Sequence, residues 1–482
     1  MSPFDKARYE RLLEGLEVTE VLCSEAMGGT ETSRIDPEYF NRDAIVAQKK
    51  IGPGQSLGDL VLDGYRVVYE TTQAIDREEG ERLGLPYFLQ AADISTPFIH
   101  AEGMICVPEA DWIRYPKGRI KPGELLIEVK GKAEKVALVP DDFPQKTLVT
   151  GTCFKLTTKV QVDRYFLAAY LICRYGQALK DRLKSNLLVA YIAKDDLYGL
   201  PVPKVSDKLK QQLQRCFESI FSSQGEARST LNVAERHLLV ALGLDAWTPP
   251  EALSYVRSSR QAFAAGRLDA EFFAPRVEQL LARLGRDGLR LSDVAPARHE
   301  RFEPSGSGDF EYIEIGSVGA DGTAASESVP MAEAPSRATQ YVRTGDVITS
   351  TVRPIRRLSA LVAPEQDGAV CSSGFVVLQP QGISGEVLLT YLRLPLVCEL
   401  MDLHTSATMY PAISESDLLA LPIPAIAPSV QAQVQDAVRQ SAYARQHATD
   451  LLDAAKRAVE IAIEDSEAVA LRFLRDALPP LP

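Results

Sequence analysis

The 482-residue chain has little with which to build a metal centre. Its seven cysteines, at 23, 106, 153, 173, 216, 371 and 398, contain no CxxC pair, and its five histidines stand singly. This argues against a structural zinc site or a disulfide framework and for buried free thiols. No run of about 18 apolar residues occurs, and the charged opening MSPFDKARYERLLEGLE lacks the apolar core of a signal peptide, so a cytoplasmic chain without a membrane span is expected. A GxxxxGK[ST] phosphate loop is missing. So are a glycine-rich cofactor loop and an Asn-Pro-Pro-Tyr-like or Asp-Pro-Pro-Tyr-like segment, which argues against a P-loop motor and against an adenine methyltransferase. Positive charge is also short. With 53 Lys plus Arg against 65 Asp plus Glu, the net charge of −12 rules against a nonspecific nucleic-acid coat.

What the chain does contain is a long duplication. GELLIEVKGKAEKVALVPDDFPQKTLVTGTCFKL at 123–156 is matched by GDVITSTVRPIRRLSALVAPEQDGAVCSSGFVVL at 345–378. Upstream, RIDPEYF at 34–40 pairs with RLDAEFF at 267–273; downstream, LPVP at 200–203 pairs with LPIP at 421–424. A period of about 220 to 230 residues is too long for a solenoid or propeller, so the repeated unit is a domain with its own core. Short β-rich runs at 64–72, 87–94, 125–129, 136–139 and 149–157 are bounded by Gly and Pro, and helical stretches follow at 163–182 and 385–403.

After each closing LPVP or LPIP comes an apolar seam of helical period. Leu209, Leu213, Cys216, Phe217 and Ile220 form one; Val430, Val434, Ala437, Ser441, Ala444, Ala448, Leu451 and Ala455 form the other. The first predicts a helix over 207–242, provided Ser222-Ser223-Gln224-Gly225 does not interrupt it. The expected fold is therefore α+β and multidomain, with two mixed α/β domains in a pseudo-twofold repeat, separated by two long antiparallel helices forming a coiled coil. The expected boundaries are 1–205, 206–245, 246–427 and 428–482.

Charge collects at equivalent places in the repeats. Lys117, Arg119, Lys121, Lys130, Lys132 and Lys135 fall in one cluster; Arg337, Arg343, Arg353, Arg356 and Arg357 fall in the other. Loops between short strands are where a rigid sheet can hold such side chains at groove depth, with arginine able to fork onto guanine and lysine mostly finding phosphate. His404, Thr405, Ser406, Thr408 and Tyr410, ahead of Pro411, add donors, acceptors and an aromatic face. In the first half the corresponding segment LKSNLLVAYI keeps only Ser185 and Asn186, and Ala190 replaces the proline, so the two loops offer different contacts. Cys153 and Cys371, beside Phe154 and Phe375, read as core, and Tyr39, Phe40, Phe272 and Phe273 as apolar anchors.

The ordered and duplicated set of RIDPEYF, GELLIEVKGKAEKVALVP, VTGTCF, DDLYGLPVP and a long helix, closest in GDVITSTVRP, AVCSSGFVVLQP and HTSATMYPAISESDLLALPIP, resembles the specificity subunit of type I restriction-modification enzymes over about residues 17–464. The resemblance implies two target recognition domains that read the halves of an interrupted double-stranded DNA site. It also implies two methyltransferase subunits as partners, S-adenosylmethionine being their cofactor, and a nuclease-translocase subunit that brings ATP and magnesium. No catalytic or metal residue is then expected here. The DNA-binding candidates are Lys117, Arg119, Lys130, Lys132, Lys135, Ser185 and Asn186 in the first half, with Arg343, Arg353, Arg356, Arg357, His404, Thr405, Ser406, Thr408 and Tyr410 in the second. Two rival readings are a protein-only adaptor that grips two partner copies, and a magnesium nuclease using Asp111, Glu128 and Lys130. The second repeat tests the nuclease, because Ser350-Thr351-Val352-Arg353 at the equivalent place carries no carboxylate. The insertion at 69–81 has no counterpart, and the tail after Asp465 reads as a helix that could dock on a partner.

Overall fold

The computed structural model describes residues 8–9, 11, 20–28, 34, 36–69, 72–144, 146–185, 189–406 and 411–478. The chain forms two compact units, Met1–Ser222 with His447–Pro482, and Ser223–Gln446. These divisions fall inside the long helices rather than at their ends. The reason is packing: each half-helix buries its seam in the core of its own unit. In the first unit Leu209, Leu213, Cys216, Phe217 and Ile220 join Ala448, Leu451, Ala455 and Val459, and in the second Ala234, Leu238 and Leu242 join Val434, Ala437 and Val438. The helices themselves are Asp207–Leu242 and Pro428–Glu464. The Ser222–Gly225 segment does not interrupt the first, since Gly225 has open space around it and costs only helix propensity.

In the first unit a four-stranded antiparallel sheet runs in the order Val61–Tyr65, Cys153–Thr158, Leu125–Glu128, Val136–Leu138. A second sheet sets Tyr87–Leu89 parallel to Thr147–Val149 and antiparallel to Ile105–Cys106. The run 149–157 thus divides between two sheets. Its turn needs Gly151, where a Cβ would sit 2.5 Å from the Val67 carbonyl oxygen. The second unit has Ser359–Leu361, Val347–Ser350 and Phe375–Leu378 in one antiparallel sheet. A four-stranded sheet of this unit is mixed, with Asp309–Ile313 parallel to Val370–Ser372. Cys153 and Cys371 are fully buried in these strands.

Both predicted helical stretches are broken, into Asp163–Ile172 and Arg174–Arg182, and into Gly385–Arg393 and Pro395–Leu403. Pro395 has no amide to continue the second. In the first, Gly176 lies so near the end of the preceding helix that a Cβ would come 2.0 Å from the Tyr170 carbonyl oxygen. The tail helix Glu467–Ala477 sends Ala470 and Leu474 into the first unit's own core, and Glu467 accepts the Ser206 amide at 3.0 Å. The docking surface of this tail is therefore internal.

The duplication recurs bond by bond. The hydroxyls of Tyr170 and Tyr391 donate to the carbonyls of Pro201 and Pro422, each 31 residues on. The amides of Leu57 and Leu291 donate to Leu200 at 2.9 Å and Leu421 at 2.8 Å. Arg34 and Arg267 pair with Asp36 and Asp269, holding each carboxyl below its usual range through that bond, and also donate to the carbonyls of Arg182 and Leu403. Buried Glu124 and Asp346 cap matching turns, accepting the amides of Lys121 at 2.8 Å and Arg343 at 2.9 Å. Lys155, at 2.6 Å, and Arg298, at 2.7 Å, neutralise them. Among the described residues no helix is long and apolar enough to cross a membrane.

Candidate nucleic-acid interface

The strands Leu125–Glu128 and Val136–Leu138 pair in register and leave residues 129–135 as a basic tip. That tip is held from within. The buried Glu128 carboxylate accepts the amides of Glu134 at 3.0 Å and Lys135 at 3.3 Å. The fully buried Lys180 ammonium donates to the carbonyls of Ala133 at 3.3 Å and Glu134 at 3.1 Å. Burial pulls the Lys180 pKa down to about 8. Gly131, at φ +93°, and Ala133, at φ +53°, supply the left-handed backbone the turn requires. Lys130 and Lys132 then point to solvent.

The Gly131 amide donates to Ala190 at 3.0 Å, and Lys130 bridges Tyr191. Ala190 and Tyr191 are thereby brought against the tip, although the Ser185 hydroxyl already accepts the Tyr191 amide at 3.2 Å. Asn186 lies outside the described residues. Lys135 turns inward, donating to the Ala91 carbonyl at 2.7 Å. Arg119 is likewise occupied, 4.3 Å over the Trp112 ring and donating to the Trp112 carbonyl at 2.8 Å. Lys117 is exposed, its ammonium 5.1 Å over Tyr65.

In the second unit the strands Val347–Ser350 and Ser359–Leu361 carry the equivalent tip. Here Arg353, at φ +50°, and Arg357, at φ +60°, bracket the one-turn segment Pro354–Arg356. The Arg353 amide donates to Pro411 at 2.9 Å, the counterpart of the bond from Gly131 to Ala190. Ile413 donates to Thr351 at 3.0 Å, the counterpart of Ile192 to Val129 at 2.9 Å. Thr405–Ser406 pairs with Ala412–Ile413, and Val352 bridges Ala412, so Thr405 and Ser406 share a strand partner with the start of the tip. A recess of about 400 Å³ opens beside Ile355 and Thr405, walled by Arg267, Asp269, Glu399 and Asp402.

Three candidates in this half serve other partners. Arg343 is ion-paired with Glu300, and Arg357 with Glu235. His404 sets its ring 5.4 Å from Phe272, with burial, aided by Arg267, lowering its pKa. Arg356 is exposed. Thr408 and Tyr410 lie outside the described residues.

Sequence reasoning missed Arg66, whose guanidinium lies 4.6 Å over Tyr191 beside Lys130. The one available signal was its place just past the strand Val61–Tyr65. Lys180, Arg393 and Glu235, which bond to the tips, carried no local signal at all. Of the nuclease candidates, Asp111 accepts from the Thr72 hydroxyl and Glu128 accepts the tip amides of Glu134 and Lys135. Among the described residues no group of three or more His, Cys, Asp or Glu could hold a metal ion.

No protein-family model and no curated protein matches the chain. Solved structures do. One is the crystal structure of the type I restriction-modification S subunit from M. genitalium, at 11% identity over 89% of this chain and 96% of that one, with a TM-score of 0.33. Another comes from work on complex assembly and conformational transition of the type I restriction-modification system, at 16% identity over 88% and 98%, with a TM-score of 0.25. A third is the HsdS subunit from Thermoanaerobacter tengcongensis, at 15% identity over 88% and 95%, with a TM-score of 0.23. At this level of likeness the argument for function rests on the residues.

Proposed function

We propose that this chain is the noncatalytic DNA sequence-specificity subunit of a type I restriction-modification or related phage-defence complex. It reads a bipartite double-stranded target and positions methyltransferase subunits on it. The observation that carries this reading is the twice-built basic tip, 129–135 and 351–358, each bridged by the same backbone bonds to a second loop. Exposed Lys130 and Lys132 in one tip suit phosphate, and exposed Arg356 in the other suits a guanine edge. The 36- and 37-residue helices, at ~1.5 Å per residue, are each about 55 Å long, and packed antiparallel they would space the two readers along one duplex. S-adenosylmethionine belongs to the partner methyltransferase, as ATP and magnesium belong to a motor subunit that joins it.

The test is selection by the full chain, with its methyltransferase, from a pool of duplexes with randomised sequence. Recovery of two short motifs at a fixed spacing is expected, with affinity falling steeply as salt rises because counterions are released. Salt-insensitive association with the methyltransferase, together with no enriched duplex, would instead establish the adaptor.

A further inference from the structure

We propose that Arg357, Arg393 and Glu235 form a brace that positions the second unit's arginine tip, so that Arg357 influences DNA through Arg353 and Arg356 instead of touching it. The inference rests on the DNA-recognition reading above. Arg357 leaves the one-turn segment Pro354–Arg356 in a left-handed conformation and folds its side chain back. Its Nε donates to the Arg393 carbonyl at 2.6 Å, and its terminal nitrogen pairs with Glu235 on the helix Asp207–Leu242. Arg393 answers in kind. Buried to 7% exposure, it donates one terminal nitrogen to the carbonyls of Arg357 at 2.6 Å and Ser359 at 3.2 Å, and the other to Ala320.

A guanidinium with its fork divided between a carbonyl and a carboxylate has little left for a base or a phosphate. To reach DNA it would abandon both, stranding the Glu235 charge and the Arg393 carbonyl. Arginine in the left-handed region persists only where its surroundings impose it, and two such arginines bracket this tip. The brace is the part of the surroundings that acts on the tip's exit, as Lys180 and Glu128 act on the first tip. Arg356, one residue earlier, is left exposed to solvent.

The two possible roles of Arg357 give opposite signs in Glu235→Gln. If Arg357 contacted DNA, the variant would release a cation and remove a repelling anion, so selection at the second half-site would hold or sharpen. A brace predicts loss. The experiment is duplex selection with full-length wild type, Arg356→Ala, Glu235→Gln and Arg357→Lys, followed by a salt titration of binding to a duplex lacking the motif. The expected result is that Glu235→Gln and Arg357→Lys each lose about tenfold in preference at the half-site that Arg356→Ala weakens. The first half-site should stay intact as the folding control, and affinity for the motif-free duplex should not fall. Retained or improved selection in Glu235→Gln overturns the proposal, as does loss of both half-sites together. Failure of the wild-type arm to enrich any sequence sinks the DNA-recognition reading itself, and the brace with it.

Discussion

The two tips share a backbone and differ in what fills it. In the first unit, the left-handed position whose amide donates to the neighbouring loop is Gly131; in the second it is Arg353. Lysines occupy the first tip and arginines the second. The first is held by a buried lysine and a buried carboxylate reaching its amides and carbonyls, the second by a reciprocal pair of arginines and a helix glutamate. Even the neighbouring positions diverge: Arg66 lies over Tyr191 in the first unit, whereas His299 pairs with Glu415 in the second. A duplicated frame has thus kept its hydrogen-bond skeleton and let its exposed chemistry and its supports change together. Different supports suit different loads, because a strained arginine tip needs more restraint than a glycine one.

The largest expected effect is alkaline. Burial pushes the thiols of Cys153, Cys173 and Cys216 in the first unit, and Cys371 and Cys398 in the second, up to about 12 from 9.0. The unfolded chain releases these protons while the folded chain keeps them, so stability falls as pH rises above about 9, by up to ~1.4 kcal/mol per pH unit for each thiol. Lys180 acts oppositely. Its folded pKa of about 8 lies below the unfolded 10.5, so it adds stability as pH climbs between those values. Lys180→Met should therefore steepen the alkaline loss of the first unit alone, measured by hydrogen exchange at several pH values. An unchanged slope would refute the assignment.

Next in size is the ion pair of Lys155 and Glu124, whose side chains are 9% and 5% exposed. Lys155→Met leaves a buried carboxylate alone and should cost ~3–5 kcal/mol in urea unfolding. Arg298→Met, at the equivalent pair where the arginine is 22% exposed, should cost less, since water can reach the abandoned Asp346.

Arg356→Ala should remove ~1–3 kcal/mol of discrimination at the second half-site only, read by methylome mapping. Exchanging the tips' left-handed residues comes close behind. Gly131→Arg should destabilise the first unit by ~1–2 kcal/mol on backbone grounds alone, because a Cβ there finds its nearest side-chain atom at 3.8 Å. Arg353→Gly should relieve strain by about 1 kcal/mol while weakening selection; if selection persisted, Arg353 would have no part in reading. Smallest is Lys132→Ala, which should weaken binding to all sequences alike and reduce the salt slope by about 1.

Much of this architecture was legible beforehand, and for identifiable reasons. The duplication was written in long collinear segments, and the helix Asp207–Leu242 in its seam of Leu209, Leu213, Cys216, Phe217 and Ile220, all fully buried. The break at Cys173 was not, since it depends on Gly176 approaching Tyr170, a distance with no sequence signal. Of the site, the two tips and their adjoining loops could be named from spacing. Whether Lys135, Arg119, Arg343 and Arg357 faced outward could not, because each is claimed by a partner brought near only by folding.

The linear chain therefore carried the repetition, the seam of the first long helix and the places where positive charge gathers, because repetition and periodicity are properties of neighbours along the backbone. Tertiary structure decided which of those charges remained available. Ion pairs such as Arg357 with Glu235, 122 residues apart, form or fail according to three-dimensional proximity and the cost of burying an unpaired charge, and no local pattern carries either.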